Sequence, residues 1–220
     1  MDRDLLVELH PCLYHMAEGG SWVSIERHGL LSTTALLDKF EVVEGREAIE
    51  SARRGSMVTI THPTYGEAVI RDQKPIIESR LERCLTNGMA PREWYELLNR
   101  FVFFWLTEER LLRLLSARPY RALEHDVLTL DTARLIDDYG DAILLAPYNT
   151  GSTAYEPPPR GVETFQSISD YPYDEWRARG RGPRDAVVEL VVPRGVENIR
   201  DYVTRVERRR GDRFLEAVPL

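Results

Sequence analysis

The chain is poor in cysteine and lysine and has no long apolar run. Its 220 residues include two cysteines, Cys12 and Cys84, too few and too far apart for a disulfide scaffold or a zinc site. No stretch approaches the roughly 20 apolar residues of a membrane span. The opening MDRDLLVELHPCLYHM lacks the basic-then-apolar layout of a signal peptide, so a cytoplasmic protein with no membrane partner is expected. Lys39 and Lys74 are the only lysines, and any anion-binding group is therefore expected to be a guanidinium, which holds phosphate or carboxylate through two parallel bonds. No net positive field is present either: 29 basic against 36 acidic residues leave a charge of −7.

GxGxxG, P-loop, GxSxG, kinase and zinc-finger patterns are all missing. There is no helix-spaced histidine pair and no HExxH, so metal dependence is not expected; His125-Asp126 alone falls short of a metal phosphohydrolase site.

Apolar residues make up 43% of the chain and charged residues 30%, an ordinary globular balance over a length that can bury a substantial core. The patterning predicts strands at residues 13–16, 57–60, 68–70, 101–105, 127–130, 142–145, 186–192 and 202–206. Helices are predicted at 22–28, 35–40, 46–54, 74–85 and 91–99, after Thr107, and after Asp131. Without a steady βαβ rhythm this reads as an α+β fold around mainly antiparallel sheet, one domain over residues 1–220. A helical insertion occupies about 74–100, and a loop-rich stretch at about 146–184, with Pro157-Pro158-Pro159 and Gly180-Arg181-Gly182-Pro183, is expected to form a lid or binding surface.

Several side chains carry chemical potential, each beside a plainer role. His15, ending the first strand before Glu18-Gly19-Gly20, can donate to a ribose hydroxyl or a phosphate, or be a half-buried histidine bonded to backbone. Arg71, leading Arg71-Asp72-Gln73 after a short strand, can present a guanidinium into a cleft or pair with Asp72 or a surface carboxylate. Arg160 and Thr164, with Tyr155 and Tyr171 nearby, can help stack a base or nicotinamide, or serve a loop that folds onto itself. The arginine runs at 177–181 and 208–210 read as solvated faces. Glu189 is the most unusual residue, a lone carboxylate in Ala186-Val187-Val188-Glu189-Leu190-Val191-Val192. It either faces solvent or faces a pocket with a specific partner.

Four short blocks in order carry a resemblance. Leu13-Tyr14-His15-Met16 followed by Trp22, Ile25 and His28-Gly29-Leu30-Leu31-Ser32, then Ile70-Arg71, then Phe101 to Trp105, then Val188-Glu189-Leu190-Val191-Val192-Pro193, resemble the DarT-type DNA ADP-ribosyltransferases. The opening is less closely similar to the RNA 2′-phosphotransferases. The Tyr-His, Arg-Asp-Gln and Val-Phe-Phe-Trp blocks also resemble an uncharacterised bacterial domain family.

The resemblance implies an ADP-ribosyltransferase-like split sheet with flanking helices. It also implies an NAD-dependent glycosyltransferase that breaks the nicotinamide–ribose bond and passes ADP-ribose to a nucleic acid or nucleotide-like small molecule. Glu189 would stabilise the oxocarbenium-like transition state and take the acceptor proton. Arg71 would hold the pyrophosphate and His15 the ADP-ribose portion, with Tyr14 or Trp105 stacked on nicotinamide. Gln73, Arg160 and Thr164 complete the expected cofactor-binding set, and residues 150–184 would close over substrate. The alternatives are an RNA 2′-phosphotransferase-like enzyme and a non-catalytic nucleotide-binding module.

Overall fold

The computed structural model describes residues 1–220. In chain order the helices are α1 (Arg3–Leu9), α2 (Trp22–His28), α3 (Thr33–Lys39), α4 (Arg46–Glu50), α5 (Glu78–Cys84), α6 (Pro91–Asn99), α7 (Glu108–Leu115), α8 (Thr132–Tyr139) and α9 (Tyr173–Ala178). The strands are β1 (Cys12–Glu18), β2 (Leu30–Leu31), β3 (Val58–His62), β4 (Gly66–Ile70), β5 (Phe101–Trp105), β6 (Glu124–Asp131), β7 (Leu144–Ala146), β8 (Gln166–Ser167), β9 (Glu189–Pro193), β10 (Gly195–Val196), β11 (Val203–Arg210) and β12 (Arg213–Val218). The fold is α+β, and none of its helices is long and apolar enough to cross a membrane.

Eight strands form one sheet in the order β12-β11-β6-β1-β5-β9-β7-β8, every pair antiparallel. Its centre is forked. β1 pairs with β6 along its whole length, from Cys12↔Asp131 to Glu18↔His125. β5 likewise pairs with β9 from Phe101↔Pro193 to Trp105↔Glu189. Between β1 and β5, however, only Tyr14↔Trp105 pairs. Two four-stranded halves thus meet at one point and diverge.

Packing follows the pleat. One face gives Leu13, Phe104, Leu128, Leu130, Leu190 and Val192 to the main core, with Leu6, Trp22 and Leu135 from the helices packed on it. On the other face Met16 and Val127 meet Leu111 and Leu115 of α7. Val191 and Ala146 on that side meet Leu81, Trp94, Tyr95 and Leu98 of the helical insertion. The hairpin β3–β4 stands apart and packs Ile60, Ala68 and Ile70 on Leu37 and Phe40.

Helix boundaries have local causes. Ser32, Thr107 and Asp131 cap α3, α7 and α8 by accepting from Ala35, Arg110 and Arg134 backbone amides. α2 ends at Gly29, whose φ of +89° is costly for other residues, and a Cβ there would lie 2.8 Å from Glu197 backbone atoms. This contact brings the chain beside β10, where Leu30 and Leu31 pair with Val196 and Gly195.

Some expectations need correction. The helix predicted from residue 74 starts at Glu78, because Pro75 disfavours helical geometry at Lys74 and Thr153 binds the Ile77 amide at 2.6 Å. The strand predicted from residue 186 begins at Glu189. The stretch at 146–184 is not bare loop, since it contains β8 and α9. The predicted strand 202–206 extends through Arg210 into a hairpin with β12. Its arginine run is ion-paired: Arg208 meets Asp126 at 3.0 Å and Glu216 at 2.8 Å, and Arg209 meets Glu207 at 2.8 Å.

Candidate active site

The divergence of β1 from β5 opens a cleft of about 310 Å³. Met16 to Glu18 form one wall and Phe101 to Trp105 the other, with Arg71 to Gln73 and the start of α3 around the rim. His15 bridges the fork, its Nδ1 lying 2.9 Å from the Phe103 carbonyl. A carbonyl only accepts, so Nδ1 carries the proton and Nε2 keeps a lone pair. Burial pushes the imidazole down to about 4, so it is neutral at pH 7. The backbone-bonded role therefore holds, and the expected donation from His15 to a phosphate is replaced: Nε2 can accept from a hydroxyl.

Glu189 opens β9 opposite Trp105 on one side and Ala146 on the other, so β-pairing fixes it from both flanks. It is only 4% exposed and lines the cleft. Oε2 accepts from the Thr150 amide at 3.0 Å and the Thr150 hydroxyl at 2.6 Å, while Oε1 has no protein partner. Burial raises this carboxyl to about 7, against the two Thr150 bonds and the charge of Arg160, which favour the anion. The pocket-facing alternative for Glu189 is the one realised.

Arg71 reaches from the end of β4 to the same cleft. Its Nη1 lies 3.4 Å from the Met16 carbonyl and its guanidinium 5.1 Å from the centre of the Tyr120 ring. No carboxylate oxygen comes within 4.0 Å of it, so it is not part of a surface pair. Burial lowers its proton affinity from the usual arginine value. Tyr120 is held from below by donation to Asp72 Oδ1 at 2.7 Å, and the Lys74 amide reaches the same oxygen at 3.1 Å.

Trp105 and Gln73 also line the cleft. The Gln73 carboxamide is partly committed, since Oε1 accepts from the Arg54 amide at 3.1 Å while the Gln73 amide donates to the Arg54 carbonyl at 2.8 Å. Three expected site residues lie outside the lining. Tyr14 pairs with Trp105 in register but packs on the Met16, Leu111 and Leu115 cluster. Arg160, 1% exposed, donates to the carbonyls of Thr150, Ser152 and Pro158 and so fastens its own loop. Thr164 meets the Tyr148 hydroxyl at 3.0 Å and accepts from the Gly161 amide. The plainer role assigned to this loop, folding onto itself, is the observed one, and the loop's contribution to the cleft comes from Asn149 and Gly151.

Sequence reasoning passed over Thr150, Arg54, Tyr120 and Glu18. Glu18 stands beside the quoted Tyr-His block, lines the cleft, and has a buried Oε2 without a partner. Its carboxyl is raised by burial, against the attraction of Arg71. Asp126, by contrast, is structural: Oδ2 accepts from the Gly20 and Trp22 amides at 2.9 and 3.0 Å and so holds the start of α2. No three His, Cys, Asp or Glu side chains converge as a metal-binding group.

Fold and cleft together define an α+β protein with a forked antiparallel sheet, whose cleft holds a buried carboxylate, a neutral imidazole and a guanidinium outside any close ion pair. Residues 11–203 match a family of unknown function, DUF7002, and the chain belongs to that family. The match runs from β1 into the start of β11 and so includes every cleft residue named above. No curated protein matches the chain.

Proposed function

We propose that the protein is an NAD-dependent ADP-ribosyltransferase, with the forked cleft as its NAD site. The observation that carries this reading is the placement of Glu189 in one cleft with His15 and Arg71, its Oε2 held by Thr150 and its Oε1 free. Positive charge grows on the ribose carbon as the nicotinamide nitrogen departs with the electron pair of the glycosidic bond. Glu189, in a dry site, is worth more against that charge than a carboxylate in water. A carboxyl near 7 can also take the proton of the acceptor hydroxyl or amine as the new bond forms, and pass it to solvent. Arg71 supplies a charge for phosphate, His15 Nε2 accepts from a ribose hydroxyl, and Trp105, opposite Glu189 in register, adds an aromatic side chain to the lining.

The acceptor is a nucleic acid or a nucleotide-like molecule, drawn by a local groove rather than by the whole surface, because the chain carries a net charge of −7. Cys12 and Cys84 are free thiols, which suits the reducing cytoplasm where NAD is available.

The test is mass spectrometry of nicotinamide released from NAD with candidate acceptors present. Release is expected from the unmodified protein and is expected to fall about a hundredfold or more in Glu189→Gln with NAD affinity retained. Arg71→Ala is expected to weaken NAD binding in calorimetry. Intact NAD under every condition overturns the reading and leaves a nucleotide-binding module; release of a 2′-phosphate from RNA would identify the phosphotransferase instead.

A further inference from the structure

The cleft contains a second cation, Arg54, which follows α4 and is 7% exposed. Its Nε donates to the Arg71 carbonyl at 3.0 Å and its Nη1 to the Ile49 carbonyl, while Nη2 has no protein acceptor. No carboxylate oxygen lies within 4.0 Å of this guanidinium, as for Arg71. Of the acids nearby, Glu18 attracts Arg71 and has no partner at its buried Oε2, while two others are engaged. Asp72 accepts from Tyr120 and the Lys74 amide and faces Lys74 Nζ at 3.2 Å; Glu50 is held by Arg46 and Thr34.

Burying a guanidinium without an anion costs several kcal/mol unless a counter-charge arrives from elsewhere. Asp72, Glu18 and Glu50 attract these guanidiniums only from beyond ion-pair distance, so two such groups lining one cleft leave part of that cost where a ligand can relieve it. Their directions differ: Arg71 reaches toward β1 through the Met16 carbonyl, and Arg54 reaches back toward α4 through Ile49. The bond from Arg54 Nε to the Arg71 carbonyl fixes one against the other, and the double tie of Gln73 to the Arg54 backbone holds the pair. Two guanidiniums lining one cleft, each with donors beyond its backbone bonds, can offer one charge-assisted contact to each of two linked phosphates.

We infer that Arg54 and Arg71 each bind one phosphate of a diphosphate, so that this cleft selects diphosphate-bridged nucleotides over nucleoside monophosphates. The inference rests on the reading of the cleft as an NAD site and names its phosphate contacts. Calorimetry with ADP and AMP tests it without chemistry. The unmodified protein is expected to bind ADP about tenfold or more tighter than AMP, the worth of one charge-assisted hydrogen-bonded contact. Arg54→Gln is expected to bring that ratio toward one, and Arg54→Lys to keep most of it. A general loss of fold lowers both affinities, so the ratio isolates the second phosphate contact.

Equal affinity for ADP and AMP in the unmodified protein, or a ratio unchanged in Arg54→Gln, overturns the inference even if nicotinamide release occurs. An Arg54-dependent preference for ADP in a protein that never cleaves NAD upholds the inference while the transferase reading falls.

Discussion

Thr150 binds a single oxygen of Glu189 twice, through its amide at 3.0 Å and its hydroxyl at 2.6 Å. Arg160 in turn donates to the Thr150 carbonyl at 3.0 Å. A residue expected in the cofactor site thus serves the carboxylate at one remove, by holding the residue that holds it. Thr150→Val removes the hydroxyl and keeps the amide, so the ionised form of Glu189 loses one of two bonds and its proton affinity rises above a value already near 7. The acid limb of the pH profile for nicotinamide release is expected to move to higher pH, with much of the lost rate recovered at pH 8.5. A uniform loss at every pH would show that Thr150 only supports the fold.

The same carboxylate makes stability depend on pH in an unusual direction. Its folded value, about 7, lies above the ordinary 4.5, so between those limits the folded chain holds a proton that the unfolded chain has released. This contribution to stability is present below about pH 4.5, declines as pH rises to about 7, and is absent beyond. Glu189→Gln removes the titration while leaving an oxygen for Thr150. The stability of Glu189→Gln relative to the unmodified protein is expected to rise by about 2–3 kcal/mol between pH 4 and pH 8 in urea unfolding. A difference independent of pH would mean that the folded carboxyl titrates normally.

Glu189 was legible because one charge in a β-branched run violates the pattern that buries the rest of the strand. Trp105 and His15 were legible as the aromatic strand and the strand end that the fork brings together. The partners of these groups were not, because they depend on tertiary neighbours. Thr150 sits in a turn signal, Arg54 at a helix end, and Tyr120 in a stretch with no periodicity. The fold shows the same division. Amphipathic α6 and α7 announce themselves by spacing. α1 buries only Leu6, and β12 has no buried residue, so neither carries much of a core pattern.

Tyr120 supports Arg71 with its ring and Asp72 with its hydroxyl, and the two roles separate by substitution. Tyr120→Phe keeps the ring and takes one donor from the buried Asp72 carboxylate, a cost of about 1–3 kcal/mol in unfolding with little change in ADP affinity. Tyr120→Leu also removes the π face beneath the guanidinium and is expected to weaken ADP binding several-fold. Equal ADP affinity in the two variants would remove the ring from the support of Arg71.

His15 offers the sharpest check on the electronic state of the cleft. Its Nδ1 proton is committed to the Phe103 carbonyl, burial disfavours the imidazolium, and the Arg71 charge adds to that effect. The ring is expected to stay neutral from pH 5 to pH 8, with its proton on Nδ1, and nitrogen NMR of the imidazole reads both properties directly. His15→Asn is expected to preserve a polar side chain in the fork yet lose the Nε2 acceptor, raising the KM for NAD more than it lowers kcat, because a ribose contact made in both the bound and the transition state affects binding first. Titration of His15 near its usual 6.5, or a proton found on Nε2, would replace the acceptor role with donation to phosphate.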